Sequence, residues 1–413
     1  MIYDKRINAL ENQLYQKDFK LNSLLEITTA INANLGVDRL TDIYSFILKE
    51  HLGLNRFLLF TRKEDDQWDL LIKKGIRGKL LQIDAATDLS RFKEITIIAS
   101  SSSEILRSFD VVVPVYHKEM PLAYLLLKVN GPIDFNQEDT QNNLGFIQTL
   151  TNIIVVAIEN KSMAKQRVIQ ERIKKELEVA SEMQKFLFPS DLPSNKQLDI
   201  SAKYIPRHEV GGDYYDFIPL GNNEFIMCIG DVSGKGIGAA MLMANFQATV
   251  RTLFIYQNHD LEFLVTELNE KVMKSAKGEK FITFFIAHFN ANTRLLKYIN
   301  AGHNHPILTT GRDYVMLNEG TVGLGMFDEL PFINIGEQTL KPNTTLISYT
   351  DGVVELENRE GQEFGLERLI KTVHTFSTLK MEDMNNLIFG KLDEWRGELP
   401  LVDDTAVFAC KFF

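Results

Sequence analysis

The sequence predicts an α+β protein of more than one domain, on three observations. The chain has 413 residues, too many for one ordinary hydrophobic core. Beyond Leu192, short strand-like runs separated by polar turns dominate, which implies antiparallel sheets with helices packed outside them. Before that point the order is helix, strands, helix, and a highly charged helical stretch leads from one region to the other. The expected organisation is a first domain over 1–160, a helical linker over 161–190 and a second domain over 191–413.

Hydrophobic residues make up 45% and charged residues 24% of the chain, the composition of a soluble globular protein. A formal charge of −10 argues against a general nucleic-acid binder, which needs a basic surface. Cys228 and Cys410 sit inside apolar runs without metal-ligand spacing, as buried structural thiols do. No apolar h-region follows Met1-Ile-Tyr-Asp-Lys-Arg6, so no signal peptide is expected. No run approaches membrane-spanning length. These readings place the chain in the cytoplasm.

Residues 4–35 read as helix, and Ile7, Leu10, Leu14, Leu21 and Leu24 follow heptad spacing with Lys17 in the polar seam position. A two-stranded coiled coil and a helix packed on its own domain both fit. Thr41–His51 reads as helix, Asn55–Thr61 as strand, and a further strand is expected near Trp68–Ile72. Val111–Tyr116 and Leu122–Lys128 flank the polar turn His117-Lys-Glu-Met-Pro121, a hairpin signal. A long apolar helix, Asn143–Asn160, follows. This order resembles a GAF sensor domain over roughly residues 20–160. No cysteine lies there, so a thiol-linked bilin is excluded; a GAF fold that only dimerises, without ligand, is the alternative.

In the linker, Ile169, Ile173, Leu177, Ala180, Met183 and Leu187 form a helical stripe ended by Pro189. Downstream, strands are expected at Asp199–Tyr204, Tyr214–Pro219, Glu224–Gly230, Phe281–Phe289, Leu295–Asn300, Pro306–Thr309, Thr345–Tyr349 and Thr405–Phe412. Helices are expected at Ile237–Tyr256, Glu262–Ser275, Leu366–Thr375 and Met381–Trp395.

The chemistry centres on Phe225-Ile-Met-Cys-Ile-Gly-Asp-Val-Ser-Gly-Lys-Gly-Ile-Gly238. An apolar strand ends in Asp231, a Gly-rich turn follows, and a helix begins, which holds one acid at the lip of a sheet. Gly211-Gly-Asp213, Thr350-Asp351-Gly352 and Asp403-Asp404-Thr405 place further acids at strand ends. Each alone is ordinary turn chemistry. Together they suggest hard oxygen ligands for Mg²⁺ or Mn²⁺ rather than zinc. Two such ions about 4 Å apart can acidify a shared water and aim it at phosphorus. Gly234-Lys-Gly236 fails as a nucleotide P-loop, because Gly230 is too close and no Ser or Thr follows Lys235. His303 and His305 are too few for zinc.

As a set, Gly211-Gly-Asp-Tyr-Tyr-Asp-Phe217, Gly230-Asp-Val-Ser-Gly-Lys-Gly-Ile-Gly-Ala-Ala240, Phe281-Ile-Thr-Phe-Phe285, Ala301-Gly-His-Asn304, Tyr349-Thr-Asp-Gly-Val-Val-Glu355 and Asp403-Asp-Thr405 resemble the PPM-type (type 2C) metal-dependent Ser/Thr phosphatases. The likeness is to their SpoIIE-like and RsbU-like bacterial branch, over about residues 176–413. It implies an antiparallel β-sandwich flanked by helices. It also implies two Mn²⁺ or Mg²⁺ ions, bridged by Asp231. By the same resemblance the Val232 carbonyl and Asp213 serve one ion, and Asp351 with one of the final acid pair, Asp403 or Asp404, the other; Asp403 is taken as that ligand, with Asp404 supporting the loop. The nucleophile implied is a metal-bridging hydroxide, with Asp213, Asp231, Asp351 and Asp403 as the catalytic set. Lys235 departs from the His that many relatives carry, and His303 is given a structural role. A helix like Leu177–Phe188 couples sensor state to the phosphatase in that family. The partner implied is a phosphorylated, STAS-type anti-sigma antagonist, with a homodimer formed through the N-terminal and linker helices. The rival reading is a catalytically silent dimeric scaffold that binds a phosphoprotein; a nucleotide phosphoester substrate is a third.

Overall fold

The computed structural model describes residues 2–63, 66–76, 83–98, 106–129, 138–256, 260–311 and 313–413. Contacts divide the chain into two compact units, Met1–Gln170 and Glu171–Phe413.

The first unit is α/β. Its elements are α1 (Ile2–Asn32), α2 (Val37–Phe46), β1 (Arg56–Arg62), β2 (Trp68–Lys74), α3 (Ala85–Asp88), β3 (Thr96–Ile97), β4 (Val111–His117), β5 (Met120–Lys128) and the start of α4 (Glu138–Lys185). The strands form one antiparallel sheet in the order β2-β1-β5-β4-β3. Side chains alternate between faces along a strand. Phe57, Leu59, Val113 and Leu125 therefore pack under Ile27, Tyr44, Ile147 and Leu150 of the helices. Leu58, Phe60, Val112 and Leu126 face the opposite way, against Leu89, Leu106 and Phe109. Burial on both faces explains why these strands read as continuous apolar runs.

Two local expectations need correction. The helix expected over Thr41–His51 starts earlier, at Val37, and its last turn is a π-helix, Ile47–His51. The hairpin turn is tighter than the five residues expected. Lys118 takes a left-handed φ of 56°, and β5 begins at Met120, so Pro121 lies within a strand, opposite Tyr116. The heptad residues of α1 split between both readings offered. Ile7, Leu10, Leu14 and Leu21 are exposed, while Leu24 packs against the core with Ile27.

The second unit contains β6 (Leu198–Ile205), β7 (Tyr214–Gly221), β8 (Glu224–Val232), α5 (Ile237–Tyr256), α6 (Leu261–Ala276), β9 (Ile282–Asn290), β10 (Leu295–Ala301), β11 (Ile307–Thr310), β12 (Asp313–Met316), β13 (Gly320–Thr321), β14 (Gly336–Thr339), β15 (Thr344–Tyr349), α7 (Asp351–Val354), α8 (Leu366–Thr375), α9 (Met381–Arg396) and β16 (Thr405–Phe412). One sheet runs β13-β10-β9-β8-β7, with β14 also paired to β10; the other runs β12-β11-β15-β16-β6. All these pairings are antiparallel except β10 with β13.

The sheets stack face to face. Phe225, Met227, Ile229, Phe285 and Phe289 of the first share a core with Ile200, Leu346, Phe408, Cys410 and Phe412 of the second. The outer face of the first sheet, with Ile226, Cys228, Phe284 and Ile286, is covered by Met243, Phe246, Leu264 and Leu268 of α5 and α6. The outer face of the second, with Ile347, Val407 and Ala409, is covered by Leu369, Val373, Met384 and Ile388 of α8 and α9. The result is a β-sandwich with helices outside both sheets. Cys228 and Cys410 are buried free thiols in separate layers, and burial raises the pKa of each. Among the described residues no helix is long and apolar enough to cross a membrane.

Candidate active site

Antiparallel pairing brings strand ends that are distant in sequence to one edge of the sandwich. Tyr214, the first residue of β7, pairs with Gly230 near the end of β8, so Asp213 and Asp231 meet there. Tyr349 at the end of β15 pairs with Val407 of β16, which brings Thr350 and Asp351 beside Asp403 and Asp404. The two sheets are joined at this edge by side chains. Thr350 Oγ1 donates to Asp213 Oδ2 at 2.8 Å and accepts the Ala406 N–H at 2.9 Å. Asp404 accepts from the Arg207 N–H at 2.8 Å and the Gly212 N–H at 2.6 Å.

The two neighbouring acids thus have different work. Both oxygens of Asp404 hold the 207–212 loop. Asp403 accepts the Asp404 N–H at 2.9 Å through one oxygen and lies 2.6 Å from Lys235 Nζ through the other. Asp351 follows the end of β15, two residues after Tyr349, and opens the short helix α7.

Electrostatics show that these acids sense one another. Burial pushes the Asp213 carboxyl well above its ordinary pKa, and the charges of Asp231 and Asp404 push it further. Asp231 is raised by burial and then by Asp351, Asp403 and Asp404. Asp351 is raised by burial and by Asp403. Asp213 is 1% exposed, its carboxyl lies beside that of Asp231, and no donor reaches its Oδ1 among the described residues. A buried carboxyl oxygen left without a donor is costly, and mutually repelling carboxylates are the donor set that a hard divalent cation stabilises. The Val232 carbonyl lies against Gly212, where an added β-carbon would approach it to 3.0 Å. The residue types therefore fit such a cation. Among the described residues, however, no three His, Cys, Asp or Glu side chains stand close enough together to form a ready ligand group.

The Gly-rich turn after β8 is pinned from below. Ser233 exchanges hydrogen bonds with Phe281, backbone to backbone at 2.9 Å and through its hydroxyl at 2.9 Å, and Lys280 Nζ donates to the Ser233 carbonyl at 2.9 Å. Asp231 itself pairs across the ladder with Thr283, whose hydroxyl is 2.9 Å from His303 Nδ1. Burial pushes the His303 pKa down to about 3, so the imidazole is neutral. His303 is thus a buried group beneath the site. Asp216, the second acid of the Gly-Gly-Asp-Tyr-Tyr-Asp stretch, is fully buried and bound by Arg251 Nε at 2.7 Å and Tyr214 Oη at 2.7 Å, away from this edge.

Sequence reasoning missed two residues. Thr350 was visible only as the neighbour of an acid, yet it links Asp213 to the opposite sheet. Gln184 Nε2 donates to the Gly211 carbonyl at 2.8 Å, and its Oε1 accepts the Gly211 N–H at 3.2 Å. A polar residue amid the apolar stripe of α4 was the available signal.

Residues 221–413 match the SpoIIE family, described as stage II sporulation protein E. The chain is 30% identical over 241 residues to the phosphoserine phosphatase RsbU of Bacillus subtilis, covering 57% of this chain and 70% of RsbU. The chain belongs to the SpoIIE family of PP2C-type phosphatases. A second relative, protein IcfG of Synechocystis sp., is 27% identical over 279 residues, which are 60% of this chain but only 43% of IcfG, so the chain spans less than half of that protein. The PP2C domain of SiaA from Pseudomonas aeruginosa superposes with a TM-score of 0.54 at 19% identity, over 59% of this chain and 99% of that domain. That likeness establishes a PP2C fold. The C-terminal unit of this SpoIIE-family chain is accordingly a PPM-type protein phosphatase domain.

Proposed function

We propose that this protein is a divalent-cation-dependent phosphatase that hydrolyses phosphoserine or phosphothreonine on a partner protein. The observation that carries this reading is the convergence of Asp213, Asp231, Asp351 and Asp403 on one edge, with a buried Asp213 oxygen that no donor reaches among the described residues. In this reading Asp213, Asp231, Asp351, Asp403 and the Val232 carbonyl would together hold two Mn²⁺ or Mg²⁺ ions. Such ions, when bound, supply positive charge and an acidified water at phosphorus. The chain's part is to fix the ligands: Thr350 orients Asp213, Asp404 holds the Gly211–Gly212 loop, and Ser233 and Lys280 hold the turn behind Asp231. The site offers no nucleophilic side chain in this scheme, which is direct hydrolysis.

The relatives suggest a setting. RsbU-like phosphatases point to a partner-switching pathway, with a phosphorylated STAS-type protein as substrate. The helix–hairpin–helix order of the first unit supports a GAF-like sensor. The exposed seam of α1 supports a homodimer, and Gln184 offers a route from the end of α4 to the Gly211 loop.

The test is Mn²⁺- or Mg²⁺-dependent release of phosphate from an aryl phosphate and from a phosphorylated protein. Asp231→Asn is expected to lower kcat by about a hundredfold or more, since it removes charge from a first ligand, where even supporting partners cost about 10–100-fold. Full activity in that variant, or under excess chelator, would overturn the proposal.

A further inference from the structure

Lys235 lies in the Gly-rich turn that follows Asp231. Gly234 and Gly236 flank it at φ values of 86° and 72°, so the turn is held in a form that glycine adopts freely. Its ammonium lies 2.6 Å from Asp403 Oδ2 and donates to the Val402 carbonyl at 3.0 Å. Arg207 Nη1 donates to the same carbonyl at 2.5 Å. Both Asp403 oxygens thus have donors, one from Lys235 and one from the Asp404 N–H. Asp213, in contrast, keeps an oxygen with no donor. The two halves of the acidic edge are therefore unequal: the Asp403 half already carries a positive charge of the chain's own.

We propose that Lys235 is a built-in competitor for the Asp403 carboxylate, which makes the Asp351–Asp403 cation position the weaker of the two. This rests on the cation-dependent reading above. A divalent cation and an ammonium drawn to the same carboxylate repel each other at short range, so each weakens the other's hold on Asp403. The lysine side chain is 41% exposed, and an ammonium on a flexible, well-hydrated stem can leave for solvent. The Lys235 charge also favours the ionised form of Asp351, so it lies within electrostatic reach of both carboxylates of that position. Exchange of ammonium for cation moves no covalent bond and needs no proton.

The experiment is calorimetric titration of the full chain with Mn²⁺ and with Mg²⁺, without substrate, for the unaltered protein, Lys235→Gln, Lys235→Arg, Asp403→Asn and the Lys235→Gln/Asp403→Asn pair. Circular dichroism confirms folding of each. The expected result is that Lys235→Gln tightens the weaker binding event by about fivefold or more, on the order of 1 kcal/mol. Lys235→Arg keeps the charge and leaves that event weak. In the Asp403→Asn background the lysine substitution has no effect, as a double-mutant cycle requires of a direct pair. Unchanged affinity in Lys235→Gln, or a gain that persists without Asp403, overturns the competition while leaving the phosphatase reading intact. Failure of the unaltered protein and of every variant to bind either cation removes the cation-dependent reading and this inference with it.

Discussion

His303 shows what burial does to a single group at this edge. It is 3% exposed, its Nδ1 meets the Thr283 hydroxyl, and the Tyr349 backbone lies within reach of the ring. Burial, followed by the charge of His305, lowers its pKa from 6.5 to about 3. The unfolded chain therefore takes up a proton near pH 6.5 that the folded chain refuses. The stability that this neutral imidazole contributes is complete above pH 6.5 and is lost as pH falls towards 3. Relative to His303→Asn, the unfolding free energy should fall by about 1.4 kcal/mol per pH unit below 6.5, measured by denaturant titration at several pH values. A difference independent of pH would contradict this account. The four acids proposed as ligands were legible because acids at strand termini recur in the sequence. Their supports were not: Thr350 and His303 act through tertiary contacts between sheets, and no local spacing encodes those.

At the level of elements, long apolar strands and amphipathic helices were legible. β16 spans Thr405–Phe412, α5 Ile237–Tyr256 and α8 Leu366–Thr375, each as expected from its pattern. Those missed were α3, β3, α7, β12, β13 and β14. Asp313–Met316 is mostly exposed and Gly336–Thr339 is polar, so pairing at the sheet margin defines them instead of an apolar run. The helices expected separately over Asn143–Asn160 and 161–187 are one element, Glu138–Lys185, because no Gly or Pro interrupts the pattern between them. The end of that element bears a prediction. Gln184 is 8% exposed and satisfies both backbone polar groups of Gly211. Gln184→Leu leaves those groups buried without partners and should destabilise the second unit by about 1–3 kcal/mol. Urea unfolding followed through Trp395, with Trp68 replaced by Phe, measures it. Unchanged stability would mean that this pair of hydrogen bonds does not hold the loop.

For the molecule as a whole, the exposed residues of α1 are the main unspent apolar surface of the first unit. Ile7, Leu10, Leu14 and Leu21 are 51%, 61%, 62% and 67% exposed at heptad spacing. Single exposed apolar residues are common, but a regular seam of them is what a second copy of the helix covers. A Leu10→Glu/Leu14→Glu variant should therefore convert a dimer into a monomer, as read by light scattering coupled to size exclusion. A monomer before substitution, or a dimer after it, would locate self-association elsewhere.

The position of β16 has a consequence for how the second unit acquires its shape. This strand is interior to its sheet, between β15 and β6, and Thr405 lies opposite Ile205. Some two hundred positions of chain must therefore be gathered before β6 finds its neighbour. Non-local pairing of that kind slows folding, because the entropy of closing the loop is lost before the contacts form. The turn carrying Asp403 and Asp404 is tied to the same late event, so catalytic competence should emerge only with completion of the sandwich and not from any partly folded intermediate.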